Sequence, residues 1–282
     1  MKAIVYQGQN KYEVKDVPVP EIGPREILVH IKLCGICSTD VFKADYGGAK
    51  PGAILGHEIA GEISKVGKEV TKFKEGDRVA MPPHAPCGSC HYCIRGQETL
   101  CDIYRKTKVR PGGFAEYIAV VQQMVERVVT KLHDSISYEE GTMIEPAACS
   151  YRGISRSGVK PGDTVVVLGD GPLGLLHAQA ANALGATLVI VSGHHDYRLK
   201  VAQKVGIDYI VNSKSESIVN YVKELTNNKG VDLAIVAVAS SETAQQAMEL
   251  IRIGGKVTLI GDFRDVPQPM LAVDPKFLLR DD

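Results

Sequence analysis

The stretch Thr164-Val-Val-Val-Leu168-Gly169-Asp170-Gly171-Pro172-Leu173-Gly174 decides the fold of this chain. Its first five residues form a continuous apolar run of strand length. Three glycines follow at the G-x-G-x-x-G spacing, and a long apolar segment, predicted helical to near Gly185, comes next. The spacing alone is a weak signal, but a strand before it and a helix after it give it meaning. The first glycine permits the tight turn, the second lets a pyrophosphate approach the backbone, and the third lets the helix pack on the strand. Unpaired N–H groups and the helix dipole then attract the phosphates. Gly169, Gly171, Pro172, Leu173 and Gly174 are therefore candidate nucleotide-binding residues. The alternative is a glycine turn with a purely structural role.

Downstream, apolar strands and helical segments alternate strictly. Strands are expected at Leu188–Val191, Tyr209–Val211, Leu233–Val238 and Lys256–Ile260. Helices are expected at Tyr197–Val205, Glu216–Leu225 and Thr243–Ile251. That alternation predicts an α/β fold, a doubly wound parallel sheet with helices on both faces. Upstream the rhythm differs. Short apolar runs at Ala3–Tyr6, Glu26–Lys32, Ile59–Val66, Arg78–Ala80 and Phe114–Val120, separated by turn residues, read as antiparallel strands. The alternating segment Gly61–Gly67 fits a half-buried barrel wall. The rhythm changes after about Leu132, and the expected domains are residues 1–145 and 146–282.

With 282 residues, 44% of them hydrophobic, the chain can build two cores. Lys+Arg and Asp+Glu both number 33, and no run of like charges marks a nucleic-acid or membrane surface. Small molecules are the expected partners. The polar opening MKAIVYQGQN does not resemble a signal peptide, and no apolar stretch reaches the roughly 18 residues of a membrane span, so a cytoplasmic location is expected. Seven cysteines, four of them within fifteen positions, suit metal ligands in a reducing compartment better than disulfides.

Those four are Cys87, Cys90, Cys93 and Cys101. Four thiolates close a tetrahedral shell around zinc and leave no position for substrate, so this ion is expected to be structural. An iron–sulfur cluster also accepts four cysteines, but the ferredoxin run ends in Cys-Pro and this one does not.

Gly35-Ile-Cys37-Ser-Thr-Asp40, Gly56-His57-Glu58, the four-cysteine loop, Glu145-Pro146 and the Gly169 turn follow one another in an order that resembles the zinc-containing medium-chain alcohol and polyol dehydrogenase family, nearest its sorbitol and threonine dehydrogenase branches. The resemblance covers essentially the whole chain. It implies a GroES-like antiparallel β-barrel catalytic domain followed by a Rossmann NAD(P)-binding domain. It also implies two Zn2+ per chain and hydride transfer between a nicotinamide cofactor and an alcohol, polyol or ketone. Cys37, His57, Glu58 and Glu145 offer a thiolate, an imidazole and two carboxylates, a mixed set that suits an open catalytic zinc. By resemblance Cys37 and His57 are direct ligands, and Glu58 or Glu145 is the third, directly or through water. Asp40 is expected to accept the second ring N–H of His57 and fix its tautomer. Thr39 matches the hydroxyl residue that passes the alcohol proton toward the cofactor ribose, but Phe42 stands where many relatives carry the histidine that hands it to solvent. Cys34 and Cys149 lie outside the pattern and are expected to pack in the core.

NAD-binding members usually carry an acid near the end of the second strand of the parallel sheet, where it grips the ribose 2′-OH. Here Gly193 occupies that position, flanked by Ser192, His194 and Arg198, which can contact a 2′-phosphate. NADP is therefore favoured over NAD, with Asp196 as the residue that would serve NAD. Relatives continue beyond Lys256–Ile260 with a sixth strand that often pairs subunits. The chain, ending at Asp282, is therefore expected to be shortened at its C-terminus, which makes a homo-oligomer doubtful. Alternatives are a threonine or other hydroxy-metabolite dehydrogenase, and a catalytically degenerate protein that binds NADP and zinc.

Overall fold

The computed structural model describes residues 1–8, 11–46 and 48–260. The division between its two compact units falls between Glu145 and Pro146.

The first unit is built on antiparallel pairing. Strands β1 (Lys2–Gly8) and β2 (Lys11–Asp16) form a hairpin. A five-stranded antiparallel sheet uses β3 (Ile27–Gly35), β4 (Glu58–Val66), β5 (Arg78–Met81), β6 (Tyr117–Val120) and β7 (Thr130–Lys131), in the order β6-β3-β4-β5-β7. Alternation sets its inner face: Ile27, Val29, Ile59, Ile63, Val79, Met81, Ile118 and Val120 meet in one core with Met124 of helix α2 (Gln122–Arg127). Each such side chain contributes about 1.5–3 kcal/mol on full burial. Strand β4 is covered on its other face as well, where Ala60 meets Ala80 and Leu132 beneath helix α3 (Tyr138–Thr142). A Cβ on Gly141 of that helix would sit 2.9 Å from Leu132 and 3.0 Å from Ala60, so the glycine permits the close approach. A short helix α1 (Ser38–Asp45) follows β3.

The second unit opens with helix α4 (Ile144–Ser157), whose first two residues belong to the first unit. Strand β8 (Thr164–Leu168), helix α5 (Pro172–Ala183), strand β9 (Leu188–Gly193), helix α6 (Asp196–Lys204) and strand β10 (Tyr209–Asn212) come next. Helix α7 (Ile218–Leu225), strand β11 (Val231–Val236), helix α8 (Ser241–Leu250) and strand β12 (Ile251–Leu259) complete the series. All strand pairs are parallel, in the order β10-β9-β8-β11-β12. Alternate residues of β8 feed two cores. Val165 and Val167 pack with Ala178 and Ala181 of α5, while Val166 and Leu168 pack with Val222, Ala244 and Leu250 on the other face. Burial on both faces explains the uninterrupted apolar run. The strand order reverses between β8 and β11, and open α/β sheets bind ligands beyond the carboxyl ends of their strands at such a point.

Several local expectations change. The hairpin strand β2 and helices α1 and α3 do not stand out in the apolar pattern, and the strand expected at Phe114–Val120 begins at Tyr117. Cys149, expected in the core, is exposed on α4, because that helix turns Ser150, Ile154 and Ser157 inward instead. Cys34 packs partly buried against the first core. The expectation of a shortened C-terminus concerns residues beyond Ile260, outside the described residues.

Candidate metal centres and cofactor turn

Gly35 at the end of β3 pairs with Glu58 at the start of β4, and this register brings the flanking Cys37 and His57 to one place. A side chain on Gly35 would collide with the Glu58 carboxylate, so glycine reserves the space that carboxylate fills. Cys37 is the N-cap of α1, and the Asp40 carboxylate reaches back to accept the Cys37 N–H at 3.3 Å. The helix start therefore positions the thiol. A sulfur of Cys37, a ring nitrogen of His57 and a carboxylate oxygen of Glu58 lie within 4.8 Å of one another. Glu145 is not part of that group.

Asp40 is buried. Its Oδ1 lies 3.1 Å from His57 Nδ1 and accepts the Gly56 N–H at 3.2 Å. With Nδ1 engaged there, Nε2 faces the Thr39 hydroxyl at 3.4 Å. The His57 hydrogen bond lowers the Cys37 thiol against the effect of burial. Burial pulls His57 down, but hydrogen bonds with Asp40 and Cys37 outweigh it and hold the imidazole at about 10. Burial also raises the Glu58 carboxyl, opposed by His57 and reinforced by the charge of Glu145. The constellation thus draws positive charge to its centre, from a proton or a metal cation. Its sulfur, nitrogen and oxygen donors suit zinc, with three protein ligands leaving a fourth position open.

The second cluster, Cys87, Cys90, Cys93 and Cys101, has its four sulfurs within 4.8 Å of one another. Cys87 Sγ is 3.8 Å from Cys93 Sγ, and Cys90 Sγ is 3.5 Å from it. A Zn–S bond of about 2.3 Å at the tetrahedral angle requires sulfurs about 3.8 Å apart. Short 3-10 turns at Cys93–Arg95 and Glu98–Leu100 form the loop around them. Backbone N–H groups of Ser89 and Cys90 donate to Cys87 Sγ, which lowers that thiol to about 6. Burial and neighbouring thiols push Cys93 up to about 12. Four thiolates together therefore require a cation between them, and zinc fits.

In the second unit Gly169 takes φ +129°, a conformation that favours glycine, and its N–H donates to the Ser192 carbonyl at 2.8 Å. A Cβ on Gly171 would meet nothing within 4 Å, which leaves an open side above the start of α5. A Cβ on Gly174 would strike the Gly169 carbonyl, so this glycine allows the helix to pack on the strand. Pro172 and Leu173 form the first turn of α5, where no side chain of Gly171 caps the N–H groups. The turn fits a pyrophosphate. Ser192 is buried, His194 is exposed, and Arg198 is half-exposed. Sequence reasoning missed Asp170, a buried carboxylate inside the glycine turn that bonds to the backbone after β9. An acid between the glycines was the available signal.

An antiparallel unit that carries both a mixed sulfur, nitrogen and oxygen donor set and a four-thiol loop, joined to a parallel unit with a dinucleotide turn, defines a metal-dependent nicotinamide dehydrogenase. Residues 23–131 match the alcohol dehydrogenase GroES-like domain, and residues 172–280 match the zinc-binding dehydrogenase domain. The chain belongs to the zinc-containing medium-chain alcohol dehydrogenase family. It is 36% identical over 269 residues to sorbitol dehydrogenase of Bacillus subtilis (strain 168), covering 93% of this chain and 75% of that one. It is also 36% identical to L-threonine 3-dehydrogenase of Pyrococcus abyssi (strain GE5 / Orsay), covering 88% of this chain and 72% of that one. A solved structure described as a zinc-binding dehydrogenase from Sinorhizobium meliloti 1021, bound to NADP, superposes with TM-score 0.87 at 31% identity, over 98% of this chain and 80% of that one.

Proposed function

We propose that this chain is a zinc-dependent oxidoreductase that interconverts an alcohol, with polyols favoured, and its ketone, using NADP in preference to NAD and holding two zinc ions. The observation that carries this reading is the convergence of Cys37, His57 and Glu58 within 4.8 Å, with the Thr39 hydroxyl beside His57. When bound, zinc supplies Lewis-acid polarisation of an alcohol or carbonyl oxygen, and the nicotinamide supplies a two-electron hydride acceptor or donor.

The chain's own residues do the rest. Cys37, His57 and Glu58 hold the metal, and Asp40 fixes the imidazole so that Nε2 faces the site. Glu145, outside that donor group, acts on Glu58 through its charge and remains the alternative carboxylate for the third position. Thr39 Oγ1 holds the proton that an alcohol must lose, and Phe42 ends the route through α1. The turn Gly169–Gly174 would hold the pyrophosphate, and Ser192, Gly193, His194 and Arg198 would contribute the contacts to the adenosine ribose. Polyols are favoured because relatives of high similarity are named sorbitol dehydrogenase; relatives named L-threonine 3-dehydrogenase make threonine the second substrate to test. NADP is favoured because β9 ends in Gly193 and not in an acid. Seven free cysteines, six of them in or beside the metal clusters, suit a reducing compartment such as the cytoplasm. No helix among the described residues is long and apolar enough to cross a membrane.

The test joins metal analysis to a turnover screen. Wild-type protein is expected to hold two zinc ions per chain and to oxidise a polyol or secondary alcohol. Cys37→Ala is expected to hold one zinc, keep its fold and lose turnover. Turnover retained by Cys37→Ala, or no turnover with polyols, secondary alcohols or threonine using either nucleotide, would overturn the proposal.

A further inference from the structure

No acid ends β9, yet a carboxylate lies beside its last residue. A Cβ on Gly193 would collide with Cβ and Cγ of Asp170, the residue between the first two glycines of the cofactor turn. Asp170 is only 4% exposed. Its Oδ2 accepts the backbone N–H groups of His194 at 3.0 Å and His195 at 2.8 Å. Its Oδ1 lies 3.1 Å from His195 Nδ1 and 3.6 Å from the Arg198 guanidinium. One buried side chain from the tip of β8 therefore fills the space over the tip of β9 and fastens the turn into α6.

We propose that Asp170 is the residue that sets nucleotide specificity: it excludes any side chain at position 193, spends its own acceptors on the protein, and holds the Arg198 guanidinium, with His195 beside it, at the rim for a 2′-phosphorylated ribose. The inference rests on the reading above, that the Gly169–Gly174 turn binds a nicotinamide nucleotide. An acid that grips a ribose 2′-OH must keep a carboxylate oxygen available, and Asp170 already receives two backbone N–H groups and faces an imidazole and a guanidinium. It acts as a positioning residue. The side chains of His195 and Arg198 are half-exposed, and charge-assisted bonds from the Arg198 guanidinium favour phosphate over hydroxyl. Asp170 and Gly193 are consequently a coupled pair. Installing an acid at position 193 cannot convert the site while Asp170 stands in the same volume, because the two carboxylates would collide and repel.

Direct titration of the whole chain with NADH and NADPH, read by nucleotide fluorescence or calorimetry without turnover, tests this in four proteins: wild type, Asp170→Ser, Gly193→Asp and the double variant Asp170→Gly with Gly193→Asp, in which the colliding Cβ of residue 170 is removed as well. Wild type is expected to bind NADPH the more tightly. Asp170→Ser should lose about tenfold in NADPH affinity, with NADH changed by less than about threefold. Gly193→Asp alone should weaken both nucleotides, and the double variant should recover NADH binding and invert the preference by about tenfold or more. A cooperative melting transition of the parallel unit, which holds both positions, reports that each variant is folded. An inverted preference in Gly193→Asp alone, or a wild type that prefers NADH, would overturn the proposal. Should Gly193→Asp not fold, Asp170→Ser alone decides, and an unchanged NADPH to NADH ratio overturns it. A wild type that binds neither nucleotide overturns the functional reading itself, an outcome distinct from a wild type that binds while the variants fail to show coupling.

Discussion

Asp40 links three structural facts with one carboxylate: it caps the start of α1 through the Cys37 N–H, accepts the Gly56 N–H, and orients His57. Asp40→Asn keeps an acceptor but removes the charge that steadies the imidazole, so zinc at Cys37, His57 and Glu58 should bind about 10–100-fold more weakly. Chelator competition measures this, with the four-cysteine zinc as an internal reference, and unchanged affinity would refute the role. Gly35 is the counterpart on the steric side. Gly35→Ala places a methyl where the Glu58 carboxylate lies, so it should displace that carboxylate and weaken the same zinc by about tenfold or more. The two substitutions act on different ligands of one ion. Both should therefore spare the thiol loop, whose sulfurs are held by their own backbone N–H groups.

Helix α5 carries a cost at the scale of an element. His177 is fully buried, its Nδ1 donates to the Leu173 carbonyl at 2.7 Å, and its Nε2 has no hydrogen-bond partner among the described residues. Nε2 faces α4, where a Cβ on Gly153 would come within 2.7 Å of it. Burial lowers the pKa of this imidazole. In the unfolded chain it takes up a proton below about pH 6.5, whereas the folded chain resists until lower pH. Stability contributed by the neutral ring is therefore present above about pH 6.5 and lost as pH falls through that value toward the depressed folded one. His177→Leu should flatten this acid-side loss in denaturant titrations between about pH 7 and 5, and an identical slope in both proteins would show that the ring plays no part. Elements such as β8 and β9 were legible in sequence because burial on both faces demands a continuous apolar run. Strand β2, KYEVKD, was not: five of its six residues are exposed, so no apolar pattern marks it, and pairing with β1 alone makes it a strand. The thiol loop announced itself by local spacing. Asp170 could not, since its partners lie 24 to 28 positions away and meet it only when β8 and β9 pair. That Glu58 lies beside Cys37 and His57 was hidden for the same reason, because the Gly35–Glu58 register is a tertiary fact.

Across the whole molecule, the antiparallel unit buries Ile27, Ile59, Val79 and Ile118 in one core, while the parallel unit builds cores of its own on the two faces of β8. The two candidate metal clusters belong to the first unit and the candidate nucleotide turn to the second. A ligand that binds only the folded form stabilises the cooperative unit that contains its site, by about 2.7 kcal/mol at a hundredfold excess over Kd. For a unit of this size that displaces its melting by on the order of 10 °C. Calorimetry is accordingly expected to resolve two transitions: a tight-binding chelator should lower only the one belonging to the antiparallel unit, and saturating NADPH should raise only the one belonging to the parallel unit. Asp170→Ser should shrink the NADPH-induced rise and leave the chelator effect untouched, since the thiol loop and the Asp170 turn share no residue. A single transition displaced by both ligands would instead mean that the separate cores unfold as one cooperative unit, and that zinc loss in the first unit lowers nucleotide affinity in the second through their shared stability.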